Sequence, residues 1–494
     1  MGKKKKKEII RLDRESVIPV LKNKLIQALA NLIEQDQDCA DFLTLCKRVE
    51  YTIRAWYSLH FEEMMQLYSL FDPIHGATKL EQQNLSPDEV DVLEQKFLEY
   101  VFKVMDKSNF KIVTNEEIEV ALSGKYRLNL PIKVDESKLN KRLLRRYFAQ
   151  HPHENLPYFA DQYIIFRRGF GMDQMSGYFI TWKVDTIISR IWHGFLRLAG
   201  LKRCFSNRRR LRYTKNDEQP GGNCSDDEED DLFVERVRIQ NMRFSTCNFL
   251  SKVTIQEPTF EKIIIIYRLN PATIDSRVLN SRGVYVKHFR NIPMADMEIV
   301  LPEKKNPGLT PLDWVKFLVS AFIGLITVLT QVLKANANIR VIAAVGSGVI
   351  GYFAKTYFTF QKNLGDYQNL ITRSMYDKQL DSGRGTLLHL CDDVIQQEVK
   401  EVILAFFVLM QQGEASRKDL DKRCEEIIQH QFNESCDFDI IDAIQKLEKL
   451  GIVTRDSEGR YTCVGLRRAN EIIGSTTEEL VIQAERSSSS DYLP

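Results

Sequence analysis

Residues 314–360 read WVKFLVSAFIGLITVLTQVLKANANIRVIAAVGSGVIGYFAKTYFTF. Seventeen residues without a charge lie between Lys316 and Lys334, and fourteen more lie between Arg340 and Lys355. A helix crossing a bilayer needs about 20 apolar residues, and a snorkelling Lys355 followed by residues 356–360 extends the second run to that length. Trp314 at one end and Tyr352, Phe353, Tyr357 and Phe358 at the other suit aromatic belts. Small residues recur at helical spacing: Ser320 and Gly324 in the first run, and Ala343, Ser347 and Gly351 in the second, beside a row of Ala344 and Gly348. In lipid such rows let helix backbones approach closely. The short polar connection from Lys334 to Arg340 makes the pair antiparallel. The expectation is a two-helix transmembrane hairpin over 314–360. Two other readings stay open. Each run is of borderline length and fits a helix buried in a large domain. Residues 346–351 also spell G-x-G-x-x-G, the dinucleotide fingerprint, although no clear strand ending in an acidic residue follows about 20 positions on.

Charge beside the hairpin sets its direction. Lys304, Lys305, Lys316, Lys355, Lys362 and Arg373 flank it, while only Lys334 and Arg340 lie in its turn. The positive-inside rule then makes this a multi-pass membrane protein with both termini cytosolic or organelle-internal.

The rest of the 494 residues is ordinary in composition, 44% hydrophobic and 28% charged, with a net charge of +2. That balance carries no global nucleic-acid signature. Nine cysteines without a C-x-x-C pair read as free thiols in a reducing compartment. Met1-Gly2 and Lys3 to Lys7 begin a polybasic tail over 1–14 with no apolar signal core behind it. It is either a solvated tail or attracted to anionic headgroups.

Residues 15–150 read as a helical domain. Phe42, Cys46, Val49, Ile53, Trp56, His60, Met64, Leu67 and Phe71 alternate spacings of three and four, the seam of a helical bundle, with His60 expected in the core. Ser86-Pro87-Asp88-Glu89 predicts a capping box, and Thr114 with Glu117 repeats it. His151-Pro152-His153-Glu154 invites a metal reading but has no matching ligand set nearby.

Residues 155–303 fit an α+β domain, with strands at Tyr163–Arg167, Ile263–Tyr267 and Val284–Val286. Between these strands, Ile187 to Leu198 has helical apolar spacing and leads into Arg208, Arg209 and Arg210, candidate lipid-facing basic residues. Residues 215–231 form an acidic loop expected to be disordered, in which Ser225 is a candidate phosphosite. Residues 376–470 predict three helices and a two-stranded wing, a winged-helix-like domain. Its third helix carries Asp437, Asp439, Asp442 and Glu448 against Lys446 and Lys449, the wrong sign for phosphates. Protein binding is therefore expected there and nucleic acid is not. A disordered tail over 475–494 completes the division.

Three stretches carry a resemblance: Tyr163–Gly169, Val286–Asp296, and Tyr376–Asp381 through Gly385 with Gln397–Glu401. In these the chain resembles the transmembrane protein 143-like family, and most of all its plant members. The resemblance implies a multi-pass protein with a domain of unknown function, and it brings a mitochondrial or plastid membrane into consideration. It implies no catalytic residues. Some plant relatives carry the label "aminopeptidase", which no metallopeptidase motif here supports.

The fold class expected is thus a multidomain α+β membrane protein. No catalytic, cofactor-binding or metal-ligating residues are assigned, and no cofactor is expected. The function expected is a membrane-anchored, non-enzymatic scaffold or tether with protein partners, and anionic lipid as a further candidate. The alternatives are a membrane-bound hydrolase, an oxidoreductase using Gly346, Gly348 and Gly351, or a lipid-handling protein.

Overall fold

The computed structural model of the chain describes residues 9–11, 15–122, 134–153, 155–180, 183–184, 186–187, 233–237, 251–273, 281–305, 322, 326, 329–330 and 339–482. Strand β1 (Ile9–Arg11) precedes helices α1 (Lys22–Ala30), α2 (Asp36–Phe71), α3 (Gly76–Gln83) and α4 (Pro87–Lys107). Strand β2 (Lys111–Ile112) and helices α5 (Asn115–Leu122) and α6 (Arg142–Gln150) lead into β3 (Tyr163–Gly177). Next come β4 (Phe233–Glu235), which pairs with β1, then β5 (Val253–Tyr267) and β6 (Tyr285–Pro293). Helix α7 (Ile339–Lys378), strand β7 (Gln379–Ser382) and helix α8 (Arg384–Gln412) follow. After them are α9 (Arg417–Phe432), α10 (Ile440–Lys449), the hairpin β8 (Val453–Arg455) with β9 (Tyr461–Cys463), and α11 (Leu466–Ile473).

The fold is mixed α/β around a five-stranded antiparallel sheet of order β2-β3-β5-β6-β7. Ile263 to Tyr267 is buried without alternation because both faces of the sheet are covered there. One face sets Ile164, Phe166, Ile264, Ile266 and Val286 against α4, α6 and the first half of α8. The opposite face sets Ile165, Ile263, Ile265, Phe289 and Ile292 against α5 and the short 3-10 helix Met294–Ile299. Gly169 takes a positive φ of 76° on β3, and the Glu261 side chain occupies the space a Cβ would need. Only glycine meets both demands.

A second apolar centre lies away from the sheet. Leu25 and Leu29 of α1, Phe42 to Ile53 of α2, Ile395 to Leu409 of α8, Leu420 to Ile428 of α9 and Ile440 to Leu447 of α10 share it. Segments near the two ends of the chain therefore build one core. Helix α8 is buried on every side from Val399 to Leu409, and from Val402 onward it is apolar all round, as such burial requires. Helices α2 and α8 run antiparallel. Phe42 meets Phe407, Tyr57 meets Glu398, and Tyr68 lies beside Gly383.

This arrangement corrects the α2 seam. His60 is exposed, not in the core. The helix leaves one apolar centre after Ile53 and enters the other at Met64, and His60 lies on the stretch between them.

The membrane hairpin is corrected as well. Among the described residues, no helix is long and apolar enough to cross a membrane. The charge-free run beginning at Val341 is not a separate span. It opens the 40-residue helix α7, which carries Lys355, Lys362, Asp366, Arg373 and Asp377. Most of the first run, with Ser320 and Gly324, lies outside the described residues. The two membrane spans, the multi-pass membrane localisation with both termini cytosolic or organelle-internal, and the fold class built on them accordingly fall. The mitochondrial or plastid membrane falls with them.

Candidate functional site

At one end of the sheet, the face under α8 turns polar. Arg168 of β3 and Lys262 of β5 stand opposite each other, and His288 of β6 stands opposite Asp381 of β7. Directly opposed residues of an antiparallel pair share a face. Helix α8 lays His389 and Asp393 over this group. Asp393 accepts from Arg168 at 2.6 Å and from Lys262 at 3.1 Å. Burial opposes its charge, yet Arg168 and Lys262 hold its carboxyl below the usual value. Arg168 also donates to the Ser108 carbonyl at 2.9 Å and lies over the Phe110 ring. It thereby ties β3 to the end of α4 and to α8.

His288 is fully buried (0% exposed), and neither ring nitrogen has a hydrogen-bond partner among the described residues. Burial first, then the charges of Lys262 and His389, push its pKa down to about 3. Its ring packs edge-on against Phe110 and His389, with centroids at 6.2 and 5.8 Å. His389 is half-exposed, and its Nδ1 lies 3.9 Å from Asp381 Oδ2. The β7–α8 turn makes this approach feasible. Gly383 takes a φ of 57° against the Tyr68 hydroxyl, and Gly385 leaves room for the Asp381 carboxylate.

A second polar group is built where α2, α4, α8 and α10 meet. Glu398 and Glu401 of α8 and Asp442 of α10 bring a carboxylate oxygen each within 4.8 Å of one another. This grouping has the donor set of a cation site, but the Lys446 ammonium occupies it. Lys446 contacts Glu398 and Asp442 directly and lies 3.6 Å from Glu401. Tyr57 donates to Glu398 at 2.8 Å, Gln397 donates to Glu401 at 2.7 Å, and Lys107 reaches Asp442 at 3.0 Å. Burial, with Lys107 nearby, pulls the Lys446 ammonium below the ordinary lysine value. Burial pushes the Glu401 carboxyl up to about 8. The folded state therefore holds a proton on Glu401 that the unfolded chain releases near pH 4.5. Over that window the native state binds more protons, so this group's contribution falls as pH rises. Glu401→Gln is expected to match the unsubstituted protein at about pH 5 and to exceed it in stability as pH approaches about 8. Urea melts at both pH values check this, and a difference that does not change with pH counts against it.

The third feature is a surface. Every described side chain of α7 from Ser347 to Lys362 is exposed. Ile350, Ala354, Tyr357 and Phe358 fall at i, i+4, i+7 and i+8, one face of the helix. Ile350 is 71% and Phe358 68% exposed. Toward the other end of the helix, Ile371 is buried and Met375 packs beside it against Ile299. This anchors α7 to the sheet domain.

The residues singled out in the sequence are placed unevenly. Ser347, Gly348 and Gly351 lie on the exposed part of α7, and a Cβ at Gly348 or Gly351 would meet nothing within 4 Å. Ala343 lies in the same helix. Ser225, Arg208, Arg209 and Arg210 lie outside the described residues. His151 stacks on Tyr147 with centroids at 4.6 Å, and Glu154 lies outside the described residues. The third helix of the helix–hairpin segment, α10, turns Ile440, Ala443, Ile444, Lys446 and Leu447 inward. Its Lys449 covers the Trp56 ring. Sequence reasoning gave no role to His288, His389, Asp393, Glu398, Glu401 or Lys446. The available signal was that several fall in stretches carrying the family resemblance.

A family model described as a protein of unknown function, DUF3754, matches residues 260–385, about a quarter of the chain. That match spans the second half of β5, then β6, α7, β7 and the start of α8. No curated protein and no solved structure matches the chain.

Proposed function

We propose that the protein is a non-enzymatic scaffold or tether whose partner is a protein docking on the exposed apolar face of α7. The observation that carries this reading is the run from Ile350 to Phe358, large apolar side chains left uncovered on a helix anchored near its other end. Contiguous exposed apolar surface of this kind marks interaction sites. The stretches Val286–Asp296 and Tyr376–Gly385 fall inside the matched region, which supports reading the chain as a relative of the transmembrane protein 143-like proteins.

A photo-crosslinking side chain placed at Phe358, on the full chain in its native cells, is expected to trap one dominant protein. The same group at Lys79, exposed on α3, serves as the control. Equal yields at the two positions, or no adduct at Phe358, defeat the reading.

A further inference from the structure

We propose that His288, His389 and Asp381 form a binding site for a divalent transition-metal ion of the zinc class. Histidine and carboxylate are the donor types such ions take. Three elements, β6, β7 and α8, deliver them to one place from positions far apart in the sequence.

The observation that points to a ligand is His288. A buried imidazole ordinarily has a partner on at least one nitrogen, because a polar group taken out of water without a hydrogen bond is destabilising. His288 has none among the described residues, although it is completely enclosed. A neutral imidazole is the form that ligates metal. The three donor atoms do not all lie within 4.8 Å of one another as they stand, so the site closes by rotation of His389 and Asp381 beside a fixed His288. With metal–nitrogen bonds of about 2.0–2.1 Å, two imidazoles on one ion place their ring centroids roughly 5–6 Å apart. The rings of His288 and His389 are 5.8 Å apart. Asp381 stands opposite His288 on the ladder and 3.9 Å from the Nδ1 of His389. His389 and Asp381 are both half-exposed, so they can turn to close around an ion arriving from outside.

Lys262 and Arg168 work against positive charge at His288, and Asp393 offsets them in part. Lys262 and Arg168 are both held by Asp393, which leaves Asp381 as an additional negative charge for the incoming ion. The Glu398, Glu401 and Asp442 cluster is the competing location, and Lys446 already fills it.

The test uses full-length protein purified without a histidine tag and stripped with chelator. Equilibrium dialysis with zinc alone is expected to give one ion per chain and a higher melting temperature. Cobalt(II) in its place is expected to give visible ligand-field bands. His389→Ala and Asp381→Asn, both on partly exposed positions, should each weaken zinc binding by tenfold or more. His288→Leu should fold and lose the ion. If it fails to fold, His389→Ala carries the test alone. Glu401→Gln and His153→Ala should bind zinc as the unsubstituted protein does. Three results overturn the proposal: no zinc retained by the unsubstituted protein, retention unchanged in His389→Ala, or loss in Glu401→Gln or His153→Ala.

Discussion

Replacing Lys446 by Met is expected to destabilise the protein by about 3–5 kcal/mol, the loss seen when one partner of a buried ionic group is removed. Methionine nearly reproduces the length of the side chain, so little packing is lost. What is lost is the proton-bearing group that Glu398 and Asp442 both contact. Glu398 is 1% exposed and cannot recover water as a substitute. Tyr57 would still donate to it, and Lys107, 43% exposed, reaches it only at 3.8 Å. Adding Glu398→Gln to Lys446→Met removes one of the two stranded charges, so the double variant should regain part of the loss. A double-mutant cycle then gives a coupling energy between the two positions that simple packing would not produce. Chemical denaturation of the four proteins measures it. A Lys446→Met loss under about 1 kcal/mol, or strict additivity in the cycle, would show that the cluster is not held by charge.

What local sequence could disclose and what it could not are separated by chain distance. The capping box at Ser86 and Glu89 forms with both reciprocal hydrogen bonds. Thr114 and Glu117 form the second box, and Ser416 caps α9 by accepting from the Asp419 amide. Ile263–Tyr267 is the doubly covered strand its unbroken apolar run implies, and the Val453–Cys463 hairpin turns at Gly459 with a φ of 84°. All of these depend on neighbours within a few residues. Residues that meet across hundreds of positions left no periodic trace. Lys400 donates to the carbonyls of Ile18 and Val20, and Gln397 donates to that of Ser16. A lysine or glutamine in a helix pattern ordinarily reads as solvated, so these buried ones were invisible. The hairpin reading failed for a related reason. Freedom from charge over fourteen residues is equally the mark of a span, of a core segment and of one end of a longer helix, and only the continuation through Lys378 separates them. His60 misled because a seam of alternating threes and fours does not reveal that the helix changes partners midway.

Phe407→Ala is expected to cost about 3–5 kcal/mol and to do so without splitting the unfolding transition. The ring is 2% exposed and meets Phe42 edge-on at 5.6 Å. It thus joins the first half of α2 to the second half of α8. Both helices continue into the other apolar centre, where Met64, Phe71, Leu387 and Val394 pack against the sheet. A cavity opened at Phe407 weakens the first centre directly. Because the same two helices must remain ordered for the sheet face to stay covered, the loss propagates along them. With Trp182, Trp192 and Trp314 replaced by Phe, so that fluorescence reports Trp56 beside the first centre, the fluorescence and far-ultraviolet circular dichroism midpoints should therefore shift together. Leu143→Ala, in the second centre on α6, serves as the comparison, because it touches neither long helix by sequence yet shares their second core. Its fluorescence and dichroism midpoints should also coincide. Separation of the two midpoints in Phe407→Ala would mean that the centres fold independently and that α2 and α8 only bridge them.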